Sequence, residues 1–156
     1  MRIMKTTVKK VTDAYPFLDK AKYTKMEAAD RRKLIKGIYR MKKVSAEYDD
    51  FRNDALKRLK PDNAEEMATL LSELDRMKPE EQVNALSQQK YADALRANAE
   101  FNKAMGECLG EELEKEVELD FQPLTEEAFD RLLDSNPEWS VGQAMLAEEI
   151  LCDSDK

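Results

Sequence analysis

Six carboxylates crowd the stretch from Glu111 to Asp120: Glu111, Glu112, Glu114, Glu116, Glu118 and Asp120. Oxygen donors at this density could hold a hard divalent cation. The stretch lacks the loop, the glycine and the spacing of a calcium-binding hand. A solvated acidic face, or a contact for the basic first half of the chain, is the simpler reading. A second candidate is the basic run Arg31, Arg32, Lys33, Lys36, Arg40, Lys42 and Lys43, with Tyr39 among the charges. Such a face could bind phosphates, with Tyr39 stacking on a base. The acidic balance of the whole chain lowers its long-range attraction for nucleic acid.

The chain has no histidine. That removes the commonest general base and the commonest metal ligand. Ser-His-Asp and Cys-His sites are excluded, as is a zinc site of the Cys₂His₂ kind. The two cysteines, Cys108 and Cys152, are too few for a Cys₄ site. Without an apolar leader at the start, they are expected to be free thiols in a reducing compartment. Cys108 lies in an apolar helical stretch and reads as a small core hydrophobe. Gly37, Gly106, Gly110 and Gly142 stand alone, so no phosphate-cradling loop is present. Trp139, the one tryptophan, either caps the core or anchors a partner.

The elements that must carry these residues are mostly helical. The 156 residues suit one domain. Charged residues make up 38%, against about 25% in an average domain, and breakers are few, which favours helix. No apolar run is long enough to span a bilayer. Residues 1–60 hold 18 Lys or Arg against 8 Asp or Glu, a net +10; the remainder holds 8 against 25, a net −17. Two halves of opposite sign on one chain are expected to lie against each other, being tethered at high effective concentration.

The chain opens with weak alternation in MRIMK, a short strand. Thr6 or Thr7 then caps a helix bearing Val8, Val11 and Tyr15, which Pro16 ends. A long helix runs from near Lys25 to Leu59, with Leu34, Ile38, Met41, Ser45, Tyr48, Phe51, Ala55 and Leu59 in one stripe. A shorter helix follows over 64–77. A second long helix is expected over 79–115, with Val83, Leu86, Tyr91, Leu95, Phe101, Met105, Leu109 and Leu113 as its stripe. Gly106 and Gly110, four apart, signal local softness or a tight contact.

In VELDF, Val117, Leu119 and Phe121 point one way and Glu118 and Asp120 the other. A lone strand is unstable, so this one should pair with the N-terminus. Thr125 caps a further helix with Phe129, Leu132 and Leu133 on its apolar side. Ser135-Asn136-Pro137 ends it and starts a last helix with proline in its first turn, carrying Trp139, Met145, Leu146, Ile150 and Leu151.

Four pieces in this order, MRIMK, YPFLDK, RRKLIKGIYRMKKVSAEYDDF and EFNKAMGECLGEELEKEVELDFQPLTEEAF, resemble a family of small helical proteins of unknown function encoded by tailed phages and integrated prophages. The last piece carries most of it: an FNK helix, an acidic end, a hydrophobic–acidic strand and a nearby proline. The likeness covers about two-thirds of the chain, with 61–79 as an insertion and 137–156 as an added tail. It implies phage or mobile-element origin and a role in particle assembly or as an accessory factor. The family offers no catalytic residue to carry over.

The expected fold is mainly α: a long antiparallel helical hairpin with short accessory helices and a two-stranded ribbon pairing 2–5 with 117–121. Residues 1–136 are expected to form the hairpin domain, and 137–156 a C-terminal helix and tail. The expected function is non-enzymatic, without cofactor or metal, in the cytoplasm and away from membranes. Proteins, virion components or a second copy among them, are the expected partners, met through Trp139, Met145, Arg31, Arg32, Lys36 and Arg40. A nucleic-acid-associated regulator using the basic helix 31–43 is the alternative.

Overall fold

The computed structural model describes residues 3–152. The chain is mainly α, with seven helices among the described residues and 73% helix. The elements are β1 (Ile3–Thr7), α1 (Val8–Leu18), α2 (Ala28–Leu59), α3 (Ala64–Arg76), α4 (Pro79–Ala85), α5 (Gln89–Glu114), β2 (Glu116–Asp120), α6 (Glu126–Ser135) and α7 (Val141–Leu151). They form two compact units. One comprises residues up to Phe51 together with those from Glu111 onward; the other is Arg52–Gly110.

The first unit is built around the ribbon. β1 and β2 pair antiparallel, with Ile3 opposite Asp120, Lys5 opposite Glu118 and Thr7 opposite Glu116. The expected pairing of the two segments is present, with β1 running on to Thr7 and β2 lying one residue earlier than expected, at Glu116–Asp120, so that Phe121 falls just past it; Arg2 and the chain's last four residues lie outside the described residues. Alternation sorts the faces as the side-chain period of two requires. Met4 and Leu119 point into the core, while Ile3, Lys5, Glu116, Glu118 and Asp120 stay exposed. Thr7 closes β1 and at once caps α1, its hydroxyl accepting from Lys10 N at 3.3 Å.

Helix α1 does not stop at Pro16; it continues to Leu18, with Asp19 N donating to Tyr15 O at 2.8 Å. An internal proline costs about 3 kcal/mol. Continuation buries Leu18 fully and packs Phe17 on the core; burial of such side chains contributes about 1.5–3 kcal/mol each, enough to offset it. Proline near the last turn also forfeits few helical bonds.

In α2, Leu34 and Met41 are fully buried and Ile38 half-buried, as the stripe predicts. Gly37 sits between them because Phe121 needs the space: a Cβ there would lie 3.0 Å from Phe121 Cδ2. Thr125 caps α6, accepting from Ala128 N at 3.2 Å. The core joins Val11, Leu18, Leu34, Met41, Leu119, Phe121, Leu132, Ile150 and Leu151.

The last helix starts later than expected. Pro137 stands in a turn, and α7 begins at Val141 behind a capping box. Ser140 Oγ accepts from Gln143 N at 3.1 Å, and Ser140 N donates to Gln143 Oε1 at 3.0 Å. Two reciprocal bonds to otherwise unsatisfied donors outweigh a favourable proline. Trp139 therefore precedes the helix. The C-terminal end is held where Leu124 N donates to Leu151 O at 2.8 Å.

The polar segment Ser135-Asn136 acts as a clamp as well as a stop. Asn136 is 2% exposed. Its Nδ2 donates to Lys22 O at 2.7 Å and Leu132 O at 2.9 Å, and its Oδ1 accepts from Lys22 N at 2.8 Å. Ser135 Oγ accepts from Lys25 N at 3.0 Å. The loop between α1 and α2 is thereby fixed to the end of α6.

The second unit has a smaller core of Leu74, Ala85 and Tyr91, flanked by Leu70, Leu71 and Met77. The single helix expected over 79–115 is broken at Leu86–Gln88 into α4 and α5. In an unbroken helix Ala85 and Tyr91, six residues apart, would face about 120° apart. The break brings both to the same cluster. Ser87 Oγ donates to Asn84 O at 2.6 Å, the local competition with helix that serine favours. The stripe shifts accordingly: Val83, Leu86 and Leu95 are exposed, and Ala85, Tyr91 and Ala94 are buried. Gly106 and Gly110 make no tight contact; nothing lies within 4 Å of a Cβ at either.

Candidate interaction surfaces

The exposed side of α2 carries a long run of cations. From Arg31 to Ala46 there are seven cations and no acid. Two of the cations are engaged: Lys33 Nζ lies 3.8 Å from Asp30 Oδ1, and Arg40 Nε donates to Asp120 O at 3.2 Å. Arg32, Lys36, Lys42 and Lys43 are exposed and Arg31 is half-buried. Ile35 and Tyr39 lie one turn apart on this face, 51% and 65% exposed. Near the start of the helix, Ala29, Arg32, Lys33, Lys36 and Gln122 line a shallow cleft of about 260 Å³.

Two ion pairs of the first unit join residues from the two halves of the sequence, the second with the cation in the acidic half and the acid in the basic half. Lys10 Nζ lies 2.8 Å from Glu149 Oε1, and Arg131 Nη1 lies 3.0 Å from Glu27 Oε1. Exposed pairs of this kind contribute about 0–1 kcal/mol each.

Trp139 is half-buried and packs edge-to-face on Phe17, with ring centroids 5.3 Å apart. Its ring belongs to the margin of the core. Met145 and Val141, one turn apart on α7, are 66% and 77% exposed. The two groups of expected partner-binding residues thus stand on different elements: Arg31, Arg32, Lys36 and Arg40 along α2, and Trp139 and Met145 before and on α7.

The acidic stretch spans the end of α5 and all of β2. Glu111, Glu114, Glu116, Glu118 and Asp120 are exposed. Glu112 pairs with Lys115 at 2.7 Å, and that hydrogen bond raises the lysine pKa above its usual value. Among the described residues, no three carboxylates or thiols converge as a metal site. No disulfide joins the two cysteines, and both are half-buried. Arg58 Nη2 lies 3.5 Å from Cys108 Sγ. In the second unit, Tyr91 OH donates to Glu73 Oε2 at 2.9 Å. A cleft of about 320 Å³ in that unit has walls that include Leu56, Pro61, Met67 and Phe101. No described helix is long and apolar enough to cross a membrane.

Sequence reasoning found the cations of α2 and Tyr39 among them, and missed exposed Ile35, which falls one residue off the core stripe and draws no attention among charges. It also missed the Asn136 clamp, whose signal, Ser-Asn-Pro, is shared with ordinary helix ends. No protein-family model matches the chain, and no curated protein or solved structure matches it either.

Proposed function

We propose that this chain is a non-enzymatic interaction protein of the phage and prophage kind, acting in the cytoplasm in particle assembly or as an accessory factor. The observation that carries the reading is α2. One face of that helix is committed to the core through Leu34 and Met41, while the other leaves Ile35 and Tyr39 in solvent among unpaired cations. Apolar side chains rimmed by charge are the surface a protein partner uses. Met145 and Val141 on α7, beside Trp139, supply a second such patch. The resemblance of the four sequence pieces supports the phage assignment. On this reading α2 and α5 are the arms of an antiparallel helical hairpin, with Arg58 on Cys108 as one contact between them.

The test is a tagged pull-down from the native source, with co-purifying proteins identified by mass spectrometry. Capsid, portal or tail proteins are the expected catch. Recovery of the bait alone overturns the assembly role.

A second reading, a nucleic-acid-associated regulator, is favoured by the cleft between Arg32, Lys33 and Lys36 and by exposed Tyr39. DNA and RNA binding at two salt concentrations separates it from the first. Phosphate contacts weaken steeply with salt; no binding at low salt removes it.

A further inference from the structure

We infer that the outer face of α2 docks on a second copy of this chain, along the outer face of its β1–β2 ribbon. The inference rests on the interaction-protein reading and names a partner for it.

The two faces are complementary in charge and in pitch. The ribbon's outer face presents Glu116, Glu118 and Asp120, all exposed; Lys5 stands opposite Glu118, and Arg40 of the same chain donates to Asp120 O at 3.2 Å. Alternate residues on a strand stand about 6.6–6.8 Å apart. On α2, Arg32 and Lys36 stand four residues apart, about 6 Å along the axis, while Arg40, the next at that step, is already held to Asp120 O of its own chain. A helix laid along the strand therefore sets Arg32 and Lys36 against two successive carboxylates of the row. The apolar groups agree as well. Ile3, 54% exposed and opposite Asp120 in the ribbon, gives Ile35 or Tyr39 an apolar neighbour at one end of the acidic row.

The ribbon's inner face is already filled, because Met4 and Leu119 share the core with Leu34 and Met41 of the same chain. Only the outer face is open to a second copy. The two docking faces are different surfaces, so a single contact leaves one of each unused, and association grows beyond a dimer unless two contacts close on each other. One helix face on one ribbon is smaller than the roughly 800 Å² per partner of a stable complex. The contact is consequently weak, rapidly reversible and sensitive to salt.

Sedimentation equilibrium of the purified chain tests this. At low salt the average mass should rise above 18.0 kDa with concentration, and high salt should return it to the monomer. The double variant Arg32→Glu, Lys36→Glu should weaken association about tenfold or more, and so should Glu116→Lys, Asp120→Lys. Mixing the two variants should restore association between them, since the first keeps its ribbon and the second its α2 face, and the two reversed faces are complementary as well. All four positions are exposed, and circular dichroism verifies folding. A monomer at every concentration overturns the inference, as does association that survives both double variants, or variants that fail to recover on mixing. None of these outcomes touches the pull-down with virion proteins, so the docking and the assembly role fail separately.

Discussion

The two units are made of the same kind of sequence, charged amphipathic helix, yet they are held together differently. In the first, every element contributes to one core, and side chains as large as Phe121, Leu34 and Leu132 are fully enclosed. Polar groups there are also fixed, with Asn136 satisfying both backbone groups of Lys22. In the second, the core is Leu74, Ala85 and Tyr91, while Val83, Leu86 and Leu95 remain in water. The number of apolar residues in a helix therefore says little about how well it is anchored. What matters is whether facing elements enclose them, because burial and packing supply the stabilisation.

The largest effects should fall on the better enclosed side. Leu132→Ala should cost about 3 kcal/mol, within the usual 2–5 for a leucine in a tight core. Leu74→Ala should cost less, since its small and partly open cluster can collapse around the loss. Urea unfolding of the two variants ranks them; equal losses would erase the contrast. Hydrogen exchange sharpens it, because Leu74→Ala should speed exchange chiefly over residues 64–95. Next in size is Asn136→Ala. It removes three hydrogen bonds and strands the backbone of Lys22, at about 2–3 kcal/mol. Asn136→Asp should fail as well, because a carboxylate cannot donate to the carbonyls of Lys22 and Leu132. A variant as stable as the parent would reduce the clamp to an ordinary helix end.

Much of the first unit was legible in the sequence, and less of the second, for physical reasons. The α2 stripe keeps a regular helical step, and the alternation in VELDF leaves one face for the core, so both could be read without a partner in view. The cap at Thr125 is a local interaction between neighbours. The breaks were harder. Nothing in PEEQVNALSQQKY states that Ala85 and Tyr91 share a cluster with Leu74, which is a fact about α3. At Pro16 a local preference lost to the distant burial of Leu18. At α7 the Ser140–Gln143 spacing fits a capping box and carries the start that Pro137 obscured. The candidate surface was half visible. Cations can be counted along a sequence, but the exposure of Ile35 and Tyr39 depends on which face the core takes.

The glycines probe the same contrast on a finer scale. Gly106→Ala and Gly110→Ala meet open space inside a helix, so each should stabilise by about 0.5–1 kcal/mol. Gly37→Ala gains the same helical preference but pushes its methyl to 3.0 Å from Phe121 Cδ2. Its gain should be cancelled or reversed, since overpacking a tight core costs about 1–3 kcal/mol. Thermal melts of the three variants decide this. Stabilisation by Gly37→Ala equal to that at Gly106 would show the Phe121 contact to be soft.

The smallest expected effect is a titration that both units share for different reasons. Tyr15, in the first unit, has its pKa raised by burial foremost and then by Asp19, through its charge and a hydrogen bond. Tyr91, in the second, is raised chiefly by the bond to Glu73, with burial and the charge of Glu73 adding to it. A phenol whose folded pKa exceeds its unfolded value of about 10 keeps its proton longer in the native state. Its contribution to stability is then complete below that pH and is lost as pH rises through the folded value. Phenolate absorbance should therefore appear late for these two side chains. The cause can be separated by mutation: Glu73→Gln should bring Tyr91 down towards its ordinary range and leave Tyr15 where it is. A Tyr91 titration unmoved by that change would assign its shift to burial, and the two units would then resist ionisation by the same means.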